Sequence, residues 1–212
     1  MTEHEEALKR FRQNKINLNS AIPFKEGNQS KIYKIQTEFD TFIYKLPSGS
    51  NFIVKTINAF LIKREYKILK RIQHIKGVPE VFFYNKGIFM KFYNGVNIRD
   101  FMNIHTEFKN EFYAQLLQTI QNLHNMGIAH CDLKRKENIL ILEDQSFVIL
   151  DFGISYRCRN RFFQPLFNLL KQTDLNAYIK IKYDKNYNHL SDDDKKIYKL
   201  TRIEKILKKY FF

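Results

Sequence analysis

Polar and apolar positions divide the chain into two differently patterned halves. From Ile22 to Leu46, Phe24, Ile32, Ile35, Phe42, Tyr44 and Leu46 stand among polar residues at near-alternating spacing, and β-branched or aromatic types dominate. Turn residues interrupt at Glu26-Gly27-Asn28 and Pro47-Ser48-Gly49. This predicts a meander of two or three strands. Between Phe52 and Gln73 the spacing changes: Ile53, Ile57, Phe60, Leu61, Ile68, Leu69 and Ile72 recur at helical steps until Gly77-Val78-Pro79 stops them. Val81–Tyr84 and Ile88–Phe92 read as two more strands. The second half starts near Ile98. There Phe112, Leu116, Ile120 and Leu123 make one helical face, with Gly127 as its C-terminal cap. Two apolar runs, Ile139–Leu142 and Phe147–Leu150, flank Glu143-Asp144-Gln145 as a hairpin. Helical periodicity returns from Arg161, first around Phe162–Leu170 and then over Asp192–Tyr210.

The expected architecture is α+β and bilobal: one domain over 1–212, with a small antiparallel β-rich lobe (about 20–93) carrying one main helix, then a truncated α-helical lobe (about 96–212). The join falls near Tyr93-Asn94-Gly95. Met1–Asn19, with Leu8, Phe11, Ile16 and Leu18, is expected to add a short helix.

Composition narrows the class. The 212 residues are 44% hydrophobic, enough for one core but not two large domains. No apolar run approaches the ~18 residues of a membrane span. The charged start, Met1–Arg12, lacks the apolar stretch of a secretory signal. Cys131 and Cys158 offer no zinc or redox spacing. A reducing cytoplasm is the expected compartment. The net charge of +14 draws the chain to polyanions such as acidic lipid, phosphorylated substrates or nucleic acid. Lysine-rich composition explains that charge equally well. Without a recognisable reader motif, no specific nucleic acid is expected.

The densest chemistry lies in His130-Cys131-Asp132-Leu133-Lys134, followed by Asn138 and then Asp151-Phe152-Gly153. Phosphoryl transfer from ATP needs a carboxylate to orient the attacking hydroxyl and take its proton. It also needs a carboxylate and an amide oxygen to hold Mg²⁺, and a cation to offset the moving charge. Asp132, Asp151, Asn138 and Lys134 are those types in order, and the hairpin between them would return Asp151 beside Asn138.

These motifs resemble the protein-kinase superfamily. Two departures stand out. Cys131 takes the place of an arginine that commonly reads a phosphorylated activation loop. Asn138 lies six positions after Asp132, one more than the usual spacing, so the intervening segment must bulge. The resemblance implies a phosphate-covering turn at Gly27, Asn28 and Ser30, whose backbone N–H groups would contact phosphate. It also implies an ATP-binding lysine, for which Lys45 is favoured over Lys55, paired with Glu65. Helical spacing supports that carboxylate, because its neighbours Leu61, Ile62, Ile68 and Leu69 are all apolar. Met90, Lys91 and Tyr93 would line the adenine site. His130 is expected to brace backbone near Asp151, and His124 to be packed or at the surface.

The short stretch after Gly153, lacking an Ala-Pro-Glu segment, resembles RIO-type kinases and the bacterial lipopolysaccharide (Kdo) kinase-like family. That likeness implies a minimal phosphotransferase acting on a protein Ser/Thr or an inner-core sugar hydroxyl. Lysines 195, 196, 199, 205, 208 and 209 could then hold it peripherally on an anionic inner-membrane face. The competing expectation is a non-catalytic nucleotide-binding scaffold that works through its basic surface.

Overall fold

Alternation at the start of the chain builds an antiparallel sheet. The computed structural model describes residues 21–27, 29–36, 41–104, 108, 111–184 and 186–199. Strands β1 (Ile22–Glu26), β2 (Ser30–Gln36) and β3 (Thr41–Pro47) precede helix α1 (Phe52–Ile72); β4 (Val81–Tyr84) and β5 (Gly87–Lys91) follow it. The sheet order is β1-β2-β3-β5-β4. Register is continuous from Ser30 opposite Pro47 to Gln36 opposite Thr41. A bulge at Phe24 interrupts the β1–β2 pairing.

The two faces of this sheet differ in chemistry. Phe42 and Tyr44 point into an aromatic core with Ile35, Phe82 and Phe89. Phe89 stacks on Tyr44 and Phe82 at 4.0 and 4.9 Å between centroids. The Tyr44 hydroxyl donates to the carbonyls of Tyr84 and Asn85. Burial drives its pKa up to about 12, so it stays a neutral donor. Period-2 geometry places Lys45 on the opposite face.

Helix α1 runs over almost the range expected of it. The Asn51 side chain caps it by accepting from Val54 N at 2.9 Å. Its buried residues are Asn58, Ile62, Glu65, Ile68, Leu69 and Ile72, recurring at three- and four-residue steps, and Asn58 Nδ2 donates to Ser48 O at 2.6 Å. Of the apolar series that marks this helix in the sequence, Ile53, Ile57 and Phe60 are exposed, while Ile68, Leu69 and Ile72 are buried.

Two compact units result: residues up to Tyr66 with Glu80–Phe92, and Lys67–Pro79 with Tyr93 onward. In the second, Thr119 Oγ1 donates to Lys76 O and Ile149 N to Gly77 O. Gly77 sits at φ +85°, where a Cβ would lie 2.6 Å from the Phe147 ring. Both conditions require glycine.

The second unit contains β6 (Gly95–Asn97), α2 (Ile98–Ile104), α3 (Phe112–Asn125), β7 (Ile128–Ala129), β8 (Ile139–Leu142), β9 (Phe147–Ile149), β10 (Tyr156–Arg157), α4 (Gln164–Tyr183) and α5 (Asp192–Ile197). The predicted hairpin is β8–β9, with β6 added on its other side. Gly127, at φ +72°, follows α3 and donates to His124 O. Its carbonyl accepts from Cys158 N, extending the β7–β10 pairing.

The last predicted helix is shorter than expected. It ends at Ile197, and Tyr198 is extended. Side-chain amides of α4 capture this end: Gln172 donates to Ile197 O, and Asn176 brackets Lys199 by donating to its O and accepting from its N. Residues 200–212, Asn28 and the expected helix at Met1–Asn19 lie outside the described residues.

Candidate active site

In the second unit, one buried acid organises the loop after β7. Asp174 of α4 accepts from His130 N at 2.8 Å and Cys131 N at 2.9 Å, and meets His124 Nε2 at 3.1 Å. Facing a carboxylate, that His124 nitrogen carries the proton. Cys131 takes a left-handed backbone, φ +71°, which non-glycine residues rarely adopt. The paired N–H bonds to Asp174 hold it there.

His130 is fully buried and bridges two segments. Its Nε2 lies 3.0 Å from Leu150 O, so that nitrogen is the donor, and Nδ1 accepts from Asp132 N at 3.3 Å. Burial lowers its pKa, which keeps the ring in the neutral form this bridge needs. The Phe152 ring packs edge-on against it at 4.6 Å. The bracing role expected of His130 is thus what the geometry displays. His124 is packed, and its partner is the same acid that holds the loop.

The extra residue before Asn138 is absorbed by consecutive tight turns. Arg135 N donates to Asp132 O, and Asn138 N donates to Arg135 O at the end of a 3₁₀ turn over Lys136–Asn138. Asn138 Nδ2 then reaches Asp132 O at 3.0 Å and Asp132 Oδ2 at 3.1 Å. With Nδ2 committed, the amide oxygen is the atom left for a cation. Leu150 N donates to Asn138 O at 2.7 Å, and this brings Asp151 next to Asn138. Asp151 is exposed, at φ +60°, and accepts from Gly153 N. Asp132 is only partly exposed, with Arg135 Nε 3.5 Å from Oδ2. Lys134 is exposed on the same loop.

Among the described residues, no group of three or more His, Cys, Asp and Glu could hold a metal alone. A carboxylate plus an amide oxygen suits Mg²⁺, which binds one or two protein oxygens and fills its remaining positions with water and phosphate. Asp151 and Asn138 fit that description.

In the first unit, Lys45 Nζ meets both Glu65 oxygens, at 3.0 and 2.8 Å. Lys55 is exposed in the first turns of α1, so Lys45 is the lysine on Glu65. Met90 lies opposite Ile43 in the β3–β5 ladder, on the sheet face that carries Lys45, while Lys91 lies opposite Phe42. Tyr93, half-buried, belongs to the second unit. The phosphate-covering turn differs from expectation in one respect. Gly27 N donates to Ser30 O at 2.9 Å, and Gly27 O accepts from Ser48 Oγ. The Gly27 N–H closes the turn and is not a spare phosphate donor. Ser30 is buried at the start of β2.

Asp174 was assigned no role from sequence, although its signal was present. Leu170, Ala177 and Tyr178 lie three and four residues away, the same inward-facing pattern that marks Glu65.

The family model described as "Protein kinase domain" matches residues 26–173. Among curated proteins, the serine/threonine-protein kinase RAD53 of Saccharomyces cerevisiae is 31% identical over 137 residues, covering 57% of this chain and 17% of its own length. The serine/threonine-protein kinase cds1 of Schizosaccharomyces pombe is 33% identical over 103 residues, 45% of this chain and 22% of its own. CBL-interacting serine/threonine-protein kinase 5 of Arabidopsis thaliana is 33% identical over 101 residues, 44% and 22%. This chain therefore spans about a fifth of the length of the relatives it matches. The matched segment runs from the turn before β2 into α4 and takes in Lys45, Glu65, Asp132, Asn138 and Asp151. With well over half its length covered, the chain belongs to the protein kinase domain family.

Proposed function

We propose that this chain transfers the γ-phosphate of Mg-ATP to a Ser or Thr hydroxyl of a protein, in the cytoplasm. The observation that carries the reading is the Asn138 amide on the Asp132 carboxylate, with Leu150 bonded back to Asn138 O. It brings the carboxylate and amide types that this chemistry needs to adjoining segments at the two ends of the β8–β9 hairpin.

In this reading Asp132 orients the acceptor hydroxyl and takes its proton, and Lys134 offsets charge on the moving phosphoryl group. Asp151 and the Asn138 oxygen hold Mg²⁺, which when bound neutralises the phosphate oxygens. Glu65 fixes Lys45 for the α- and β-phosphates. Met90, Lys91 and Tyr93 serve the adenine, and Asn28 and Ser30 the phosphate turn. The relatives, all serine/threonine-protein kinases by name, favour a protein acceptor. A sugar hydroxyl, as in the lipopolysaccharide (Kdo) kinase-like reading, draws support from the short passage between Gly153 and α4 at Gln164.

Labelled-phosphate transfer tests this with a protein mixture and inner-core glycolipid as alternative acceptors. Transfer to protein Ser/Thr is expected, and D132N should lower it at least ~100-fold. Unchanged transfer in D132N would remove Asp132 from its role. Transfer only to glycolipid would select the second acceptor, and nucleotide binding without transfer would select the scaffold.

A further inference from the structure

The segment after Asp-Phe-Gly carries an exposed aromatic ridge flanked by arginines. Phe162 is 83% exposed and Phe163 45%. Their rings meet edge-to-face at 5.3 Å. The 3₁₀ turn Arg161–Phe163 that bears them has no buried residue. Leu166, one turn into α4, is also exposed. Val96, Ile104 and Ile154 of this unit are exposed as well, but among the described residues of the unit only here do three exposed large apolar side chains fall within five consecutive positions, which makes an unpartnered apolar face.

The ridge is fixed in place. Asn160 Oδ1 accepts from Phe163 N, Cys158 Sγ contacts Asn160 O and Gln164 Oε1, and Cys158 N is bonded to Gly127 O. Pro165 then stands in the first turn of α4. A strand pair on one side and a helix on the other hold the aromatic pair outward.

Charge identifies the occupant. Arg157, Arg159 and Arg161 alternate along the approach to the ridge. No carboxylate among the described residues pairs with any of them. Arg157 is half-buried; burial, and then the charges of Arg71 and Arg159, lower its pKa. A guanidinium that feels two other arginines and no counter-charge, with further arginines next along the chain, forms a site for an external anion. By contrast, Lys195 and Lys196, expected to face a membrane, are tied to Asp192 and Asp193.

We propose that Arg157–Leu166 is a peripheral docking surface for an anionic lipid bilayer, with Phe162 and Phe163 entering the interface and the arginines meeting lipid phosphates. Protruding aromatics beside basic residues suit a soft interface. An acidic protein would need a concave surface to receive the same ridge. No described helix is long and apolar enough to cross a membrane, so the contact is peripheral. This inference is independent of the acceptor and of phosphotransfer.

The chain has no tryptophan, so F162W installs a sole indole. On vesicles of phosphatidylcholine with phosphatidylserine at physiological salt, its emission is expected to shift to the blue and to be quenched by brominated lipid. Phosphatidylcholine alone should produce neither change. R159Q/R161Q should weaken vesicle binding at least ~10-fold, while K63Q/K67Q, the same charge removed from α1, stays within ~3-fold. Thermal melts confirm that each variant is folded. Vesicle binding with an unshifted indole would mean unspecific adsorption of a +14 protein and overturn the proposal. Equal loss in the two charge variants would overturn it too, as would an indole that responds to an acidic polypeptide but not to vesicles.

Discussion

Glu65 of α1 and Asp174 of α4 are both acids buried on apolar helix faces, 2% and 1% exposed, yet they are stabilised in different ways. Glu65 has a side-chain cation, Lys45, held by both oxygens. The Asp174 carboxylate has two backbone N–H donors and the His124 ring. A side-chain partner can be replaced or swung away, whereas backbone donors cannot. The pair in the first unit is thus suited to hold a group for a ligand. The acid in the second unit is suited to fix a loop once and for all.

Asp174 provides the largest test of that contrast. D174N places an amide donor against donors and leaves at least one buried N–H unsatisfied. Urea unfolding should show a loss of about 3 kcal/mol with unchanged m. A loss near zero would mean that Asp174 does not hold the loop. E65Q keeps one acceptor for Lys45 and should cost about 2 kcal/mol. The double replacement K45M/E65L should recover most of this, to within about 1 kcal/mol of the parent, because it removes both buried charges together. The same double variant should lose Mg-ATP binding, read as the absence of a nucleotide-dependent thermal shift. No second-site change can rescue D174N in that manner.

This difference also governs what could be read from sequence. Glu65 was legible because helical spacing surrounds it with apolar neighbours, and a lysine of suitable spacing was available to pair with it. Asp174 has the same spacing signal, but its partners are main-chain atoms, and no residue type announces them. The α1 range, the β8–β9 hairpin and Gly127 as a helix stop were all readable, since each rests on periodicity or on one glycine conformation. Strands β6, β7 and β10 were not, because two or three residues are too few to show a period. The early end of α5 was hidden for a further reason. Continued apolar spacing favours helix, but Gln172 and Asn176 on a distant segment satisfy the carbonyls of Ile197 and Lys199.

His130 turns the loop's rigidity into a pH dependence. Its folded pKa is lowered by burial, so below the unfolded value near 6.5 the unfolded chain binds a proton that the native state refuses. Its contribution to stability is complete above pH ~6.5 and falls as pH drops toward the folded pKa. Urea midpoints should therefore fall as pH is lowered from 7.5 to 5.5. H130Q, which can still donate to Leu150 O, should flatten that part of the profile. An unchanged slope in H130Q would assign the titration to another group.

The smallest effect sharpens the comparison from the opposite side. Lys195–Asp192 and Lys196–Asp193 are as short as the Lys45–Glu65 pair, at 2.9 and 2.8 Å. All four side chains are exposed, however, and water solvates each charge nearly as well as its partner does. If burial rather than contact distance gives Glu65 and Asp174 their weight, K195Q/K196Q should change stability by less than about 0.5 kcal/mol at low salt. The difference should vanish at high salt, where screening removes what attraction remains. A loss as large as that of E65Q would show that α5 depends on its surface charges. The Asn176 and Gln172 bonds would then be too weak to hold the end of the described chain by themselves.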